Sequence, residues 1–210
     1  MGSWLAKALV QRAIGTLPNP HYWNELLQKR VTNSLGLTEE RFGASLANCR
    51  QHLQQLQRFG LPPADGFAAF ELGTGWYPTV PIGLFLCGAR EVWTWDIAPL
   101  LKPDRLTVTI RSFLELEQCG ELRCHLPFLP ERLDRLREVM ALCESDQAWT
   151  PAALLEELGI HCRTGDASRS GLPPRSVDLI VSDVVFEYLS PAQLAAILQD
   201  PELSQALLIA

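Results

Sequence analysis

Glycine residues at the end of an apolar run form the first segment of the chain that could bind a ligand. The segment Glu71-Leu72-Gly73-Thr74-Gly75 closes the short apolar run 67–72. Glycines let the backbone turn sharply and leave room for a ligand against the main chain. The pattern is weak by itself, because a tight strand–helix turn that binds nothing has the same glycines.

Carboxylates follow three later apolar runs. Asp96 closes a run roughly twenty residues after the glycines, which is the spacing expected of a carboxylate that accepts the hydroxyl hydrogens of a ribose. Asp166 can accept a hydrogen bond from an exocyclic amine, and Asp183 ends a buried run rich in Leu, Ile and Val. Taken singly, each of these residues is equally well a turn residue or a helix cap.

The elements that must position these groups alternate between strand and helix. The runs 67–72 and 91–97 are predicted strands, and the segment 78–86 between them is apolar and of helical length. Strand, helix and strand in this order form a βαβ unit, whose two strands are parallel. The runs 160–164 and 177–182 are predicted as the third and fourth strands. Because open α/β sheets bind ligands at the carboxyl ends of their strands, the glycines and the acids are expected to converge there.

Two further regions are predicted to be mainly helical. Residues 1–62 form an N-terminal helical region, in which Thr38 caps the clearest helix, and residues 63–210 form the main domain. Residues 100–158 form a long helical insert between the second and third strands, in which the segment 105–113 reads equally well as extended or helical. The insert and the N-terminal helices are expected to form a lid or a substrate cap.

Several of these segments resemble the motifs of class I S-adenosylmethionine-dependent methyltransferases. The segment 70–75 resembles their motif I, 92–97 their acidic second-strand motif, and 165–167 with 176–183 their third- and fourth-strand motifs. The resemblance covers roughly residues 67–200. It implies a Rossmann-like parallel sheet, S-adenosylmethionine as the cofactor, and transfer of its methyl group to an acceptor that the sequence does not identify.

The resemblance also implies roles for individual residues. The implied cofactor-binding residues are Glu71, Gly73, Thr74, Gly75, Asp96, Ile97, Asp166, Ala167 and Asp183. The glycine segment would face the methionine end of the cofactor, Asp96 the ribose, and Asp166 with Ala167 the adenine. The implied catalytic residues are Asp183, near the sulfonium, and Glu187 and Tyr188, toward the acceptor.

The chain departs from the family pattern in three ways. Tyr77 stands where the family often has a third glycine, and Tyr188 where it often has a histidine. The family fold has seven strands, whereas here residues 207–209 supply at most a fragment of a fifth. The expected fold is therefore a shortened one, in which the strand 177–182 is an exposed apolar edge that a second copy or another partner covers.

Two other functions stay open. An NAD-dependent oxidoreductase would need a glycine where Pro78 stands, since its fingerprint is GxGxxG. The missing strands favour a non-catalytic S-adenosylmethionine-binding or scaffold protein. No Ser-His-Asp or Cys-His arrangement is recognisable, and the four histidines, His21, His52, His125 and His161, are predicted to lie outside the strand-end cluster.

Composition narrows the partners and the location. The chain has 210 residues and a formal net charge of -6, which argues against a general affinity for nucleic acid or anionic lipid. The six cysteines lack CxxC spacing, which favours free thiols in a reducing compartment over a metal site. The apolar N-terminal segment is too short and too charged for a membrane span, so a cytoplasmic location is expected.

Overall fold

A computed structural model describes most of the chain. The described residues are 36–60, 66–167, 170–173, 175–183, 185, 189, 191–198 and 206–209. Leu37–Ala210 forms a compact unit of its own. The helix that begins at Glu39 therefore belongs to the same unit as the sheet, whereas the sequence grouped it with the N-terminal region 1–62. Most of that region lies outside the described residues.

The fold is α/β with a parallel five-stranded sheet. The strands are β1 (Phe67–Leu72), β2 (Ala89–Asp96), β3 (Ile160–Thr164), β4 (Leu179–Val181) and β5 (Leu207–Ile209). They lie in the order β3-β2-β1-β4-β5, and every neighbouring pair is parallel. This confirms the predicted parallel α/β sheet. The order is that of doubly wound Rossmann-like sheets. In these sheets successive strands are added on one side of the first strand and then, from the fourth strand on, on its other side.

Seven helices accompany the sheet in the described residues. They are α1 (Glu39–Arg58), α2 (Thr79–Leu86), α3 (Pro103–Gln118), α4 (Leu122–His125), α5 (Pro130–Cys143), α6 (Pro151–Glu156) and α7 (Pro191–Leu198). Helices α3 to α6 all lie within the predicted insert 100–158. The segment 105–113, left undecided by the sequence, is part of α3.

Helix α1 packs closely on α2. Thr38 caps α1, as predicted, by accepting a hydrogen bond from the backbone N–H of Arg41 at 3.3 Å. Helix α2 is buried on every side, as its uniformly apolar sequence requires. The two helices approach closely at Gly83, where an added methyl group would lie 2.9 Å from Cys49 Sγ. Because Gly83 has no Cβ, α1 can pack directly against α2 at this position.

Hydrophobic cores fill both faces of the sheet. Side chains alternate along β1, so that Phe67 and Ala69 enter the larger core while Phe70 and Leu72 enter the smaller one. The larger core includes residues of helices α1 to α6, and the smaller one includes Ile197 of α7. The sheet is thus covered by helices on both faces, which explains why β1 and β4 are buried along their whole length.

Asp178 joins the amino-terminal ends of the central strands. Its Oδ2 accepts a hydrogen bond from the backbone N–H of Ala68 at 2.8 Å and lies 3.2 Å from a guanidinium nitrogen of Arg90. Its own backbone N–H donates to Ala68 O at 2.9 Å. Asp178 therefore fixes β4 beside β1, at the end of the sheet opposite to the predicted site.

Strand β5 changes the expected edge of the sheet. Leu179, Ile180 and Val181 of β4 pair in parallel with Leu207, Leu208 and Ile209. The expectation that the strand 177–182 would be an exposed edge is therefore wrong, because the three residues of β5 cover it. Within the described residues, β3 and β5 are the outer strands.

Candidate functional site

The glycine turn after β1 is shaped by two residues with positive φ. Gly73 has φ of 83° and Gly75 has φ of 69°, a backbone region that residues with a side chain rarely adopt. A methyl group added at Gly73 would overlap the side chain of Val185, which follows β4. At Gly75, by contrast, none of the described residues has an atom within 4 Å of that position, so the backbone there has room for a ligand.

Asp96 ties the end of β2 to this turn. Its Oδ2 accepts a hydrogen bond from the backbone N–H of Gly75 at 2.9 Å, and its Oδ1 accepts a longer one from Ala98 at 3.4 Å. A carboxylate offers about four acceptor positions, so both oxygens can still accept hydrogen bonds from a ligand. Asp96 is half-buried, which leaves it reachable.

Five of the predicted cofactor-binding residues line one cavity of about 260 Å³. They are Gly73, Asp96, Ile97, Asp166 and Ala167. The rest of the lining is Gly165 and the apolar residues Leu72, Trp95, Val185, Leu189 and Ile197. Two carboxylates thus line a largely apolar cavity, on the face of the sheet covered by the smaller core.

Glu71 does not line this cavity but lies on the other face of β1. It is buried, and its Oε2 accepts a hydrogen bond from Thr74 Oγ1 at 2.8 Å. Burial raises the pKa of Glu71 to about 8, and the nearby carboxylates of Asp183 and Asp96 add to that rise while the Thr74 hydroxyl opposes it. Glu71 is therefore mostly protonated at neutral pH in the ligand-free protein.

Asp183 lies at the carboxyl end of β4 and contacts helix α1. Its Oδ1 is 3.0 Å from Nε2 of His52, a residue that is buried on α1. Burial alone would raise the pKa of Asp183, but hydrogen bonds from His52 and Asn48 outweigh it and lower that pKa. Asp183 is therefore an anion at neutral pH, and its side chain is still 26% exposed.

His52 corrects the prediction that the histidines lie outside the strand-end cluster. The sequence carried a signal for it, because His52 falls on the buried stripe of α1, three residues after Cys49 and four before Leu56. A histidine on such a stripe needs a polar partner in the fold. The sequence alone did not show that this partner is a carboxylate at the strand ends.

The insert contributes to a second cavity beside the first. This cavity of about 180 Å³ is lined by Thr74, Gly75 and Asp96 together with Leu100, Leu101 and residues 150–152 of the insert. Arg105 of α3 lies over the ring of Trp76, 3.8 Å from its centre. The insert thus contacts the glycine turn through Arg105 and Trp76, and the next residue, Tyr77, is half-buried.

Some predicted residues lie outside the described part of the chain. Glu187 and Tyr188, the residues predicted to face the acceptor, are among them. Among the described residues, no group of three or more His, Cys, Asp or Glu is placed to hold a metal ion. No described helix has the length and apolar character needed to cross a membrane.

Comparison with known proteins identifies no relative. No family model matches the chain, and neither does any curated protein or solved structure.

Proposed function

We propose that the chain binds S-adenosylmethionine at the carboxyl edge of its sheet and transfers the methyl group to an acceptor. The observation that carries the proposal is that Gly73, Asp96 and Asp166, far apart in the sequence, line one cavity. The cavity lies at the end of a sheet with the order 3-2-1-4-5, where doubly wound folds bind nucleotides.

The chemistry of the cavity suits the adenosine part of this cofactor. Asp96 has acceptor capacity left for two ribose hydroxyls, and Asp166 can accept from the exocyclic amine of adenine. Apolar walls that include Trp95, Leu72 and Ile197 suit a flat base. A volume of about 260 Å³ is close to the lower limit of about 300 Å³ for ligand pockets, so it suits a nucleoside better than a dinucleotide.

The groups around the glycine turn suit the charged part of the cofactor. Asp183 is an anion within charge-interaction range of Glu71, and its exposed surface can face a positive centre. Glu71 is poised to lose its proton when a cation comes near, because an opposite charge favours the ionised form. Neither Glu71 nor Asp183 lines the cavity of about 260 Å³, so both would act on the charged part of the cofactor at a distance.

The reaction requires positioning more than proton transfer. When bound, the sulfonium supplies an activated methyl group with a neutral thioether as leaving group. Transfer of that group to the acceptor would be an in-line displacement, for which the residues of this chain would supply the relative placement of the sulfonium and the acceptor. Correct placement supplies much of the rate in such a displacement. Asp96 and Asp166 hold the adenosine in register, and Glu187 and Tyr188 stay the predicted acceptor-side residues.

Calorimetric titration of the purified chain tests the proposal. We expect S-adenosylmethionine and S-adenosylhomocysteine to bind and NAD not to bind. Replacing Asp96 with Ala should weaken both adenosyl ligands by about tenfold or more, equivalent to about 1.4 kcal/mol, because the ribose loses a charged acceptor. Asp96→Asn should lose less, since its amide oxygen can still accept from Gly75.

Asp134→Asn is the matched control. Asp134 lies on α5 of the insert with a side chain that is 70% exposed, so its replacement should leave both affinities unchanged. Binding of NAD alone would favour the oxidoreductase. Tight binding of S-adenosylmethionine that is insensitive to Asp96→Ala would remove Asp96 from the site.

A further inference from the structure

We infer that His52 and Asn48 of helix α1 are positioning residues that keep Asp183 as a fixed anion, so that the site selects a cationic sulfonium over a neutral thioether. The inference rests on the proposed function and extends it to the N-terminal helix, which none of the strand-end motifs includes. It assigns charge selectivity to a contact between two elements 131 residues apart.

His52 and Asp183 are in direct contact, and only Asp183 is partly exposed. The Nε2 and Oδ1 atoms are 3.0 Å apart, and the two side chains are 5% and 26% exposed. The histidine is thus enclosed by protein, while the carboxylate keeps a surface that a ligand can reach. Asn48, one helical turn before His52, also lowers the pKa of this carboxylate by hydrogen bonding.

The second ring nitrogen of His52, Nδ1, is buried and makes no hydrogen bond with the described residues. Leaving such an atom unpaired costs about 1 to 3 kcal/mol, a cost that an apolar side chain at this position would avoid. Among the described residues, the hydrogen bond between Nε2 of His52 and Asp183 is the contact that offsets the cost of burying the ring.

Of the three groups Glu71, Cys49 and Asp183, it is Asp183 that is ionised. Glu71 on β1 is mostly protonated below its pKa of about 8, and the neighbouring thiol of Cys49 on α1 has a pKa raised by its burial. The pKa of Asp183 is shifted the opposite way, by His52 and Asn48. An ionised carboxylate attracts a sulfonium and gains nothing from a thioether, so removing its supports should affect only the cationic ligand.

Titration of His52 variants with two ligands measures this selectivity. We expect His52→Leu to weaken S-adenosylmethionine by about tenfold and to leave S-adenosylhomocysteine within about twofold. His52→Gln should recover most of the loss, because its amide nitrogen can occupy the position of Nε2. Equal weakening of both ligands, or no change in either, would show that His52 only supports the helix and would overturn the inference.

A second histidine–carboxylate pair supplies the control. His161 on β3 lies 2.8 Å from Glu156 Oε1, away from Asp183, so His161→Leu should leave the ratio of the two affinities unchanged. If the wild-type chain binds neither ligand, the proposed function fails. If it binds both and His52→Leu keeps the wild-type ratio, only the positioning role fails.

A ligand-free measurement reports on the same contact. Carbon-13 NMR of labelled aspartate carboxyl groups should show the pKa of Asp183 rising in His52→Leu and staying constant in His161→Leu. His52→Gln should lie between the wild type and His52→Leu. A pKa of Asp183 that is unchanged in His52→Leu would contradict the inference even if the variant binds poorly.

Discussion

Glu71 and Asp183 show how two carboxylates at one edge of a sheet acquire opposite properties. Glu71 is enclosed by the core, and its burial raises its pKa to about 8. Asp183 is partly exposed and accepts hydrogen bonds from α1 that lower its pKa despite its burial. Pairs of titratable groups pushed apart in this way are typical of sites that bind or process charged ligands.

Stability of the ligand-free chain should depend on pH through Glu71. In the unfolded chain this group ionises near pH 4.5, whereas in the folded chain it keeps its proton up to about pH 8. The folded state therefore holds one more proton between these values, and the free energy of unfolding should fall by up to about 1.4 kcal/mol per pH unit as the pH rises through this range. Above about pH 8 the contribution of Glu71 should level off.

Glu71→Gln isolates this contribution. The amide cannot ionise, so urea denaturation between pH 5 and 9 should show a flatter dependence on pH than in the wild type, with the largest gain in stability at pH 8 and above. Glu91→Gln, at an exposed position of β2, should keep the wild-type slope. Parallel pH profiles for wild type and Glu71→Gln would mean that the Glu71 carboxyl is not desolvated.

The sequence predicted the acids of the site better than it predicted their surroundings. Asp96 and Asp166 meet at one cavity because both follow parallel strands, and strand ends can be read from apolar runs. The placement of Glu71 on the opposite face depends on the alternation of side chains along β1. The contact of His52 with Asp183 depends on which helix packs over which strand end, and neither spacing nor composition encodes that.

At the scale of the elements, glycines in two helices have opposite roles. A methyl group added at Gly43 of α1 would meet no atom of the described part of the chain within 4 Å, whereas Gly83 of α2 lies against Cys49 and Leu126. Glycine within a helix costs about 0.5 to 1 kcal/mol relative to alanine, so Gly43 weakens α1 without a packing benefit. Gly83 carries the same cost but permits the close packing of the two helices.

The same substitution at the two glycines should therefore change stability in opposite directions. Gly43→Ala should raise the free energy of unfolding by about 0.5 to 1 kcal/mol in urea denaturation. Gly83→Ala should lower it by about 1 kcal/mol, because overpacking commonly costs about 1 to 3 kcal/mol and exceeds the gain in helix propensity. Adding Cys49→Ala to Gly83→Ala should remove part of the loss. An equal rise in the free energy of unfolding for both single variants would show that α1 can shift away from α2 at no cost.

The segment 105–113 shows what the sequence leaves open at this scale. Its run of Thr, Val and Ile suits a strand, since β-branched residues favour extended backbone. Helix α3 forms instead because Leu106, Ile110 and Phe113 recur at helical spacing and are fully buried in the larger core. Burial of this apolar face in the larger core thus outweighs the strand preference of the β-branched residues, and the sequence alone did not show which of the two effects is larger.

At the scale of the whole molecule, β5 determines whether the sheet has an apolar edge. All three residues of β4 are at most 1% exposed, and they pair with β5 residue by residue. The sequence recognised 207–209 as a strand fragment but could not show that three residues suffice to cover a strand that is itself only three residues long. The homodimer or other partner was predicted at the edge of 177–182, and in the described residues β5 occupies that edge.

Deleting residues 206–210 tests the protective role of β5. The deletion should expose the backbone of β4 beside buried Leu179, Ile180 and Val181, and an unpaired apolar strand is a template for pairing with another chain. We expect the mass measured by light scattering after size exclusion to rise with protein concentration in the deletion variant more steeply than in the full chain. Circular dichroism would separate association of a folded variant from simple unfolding. A folded deletion variant that stays monomeric at every concentration would mean that α7 and the smaller core protect β4 without β5, and that the strand contributes pairing but no protection.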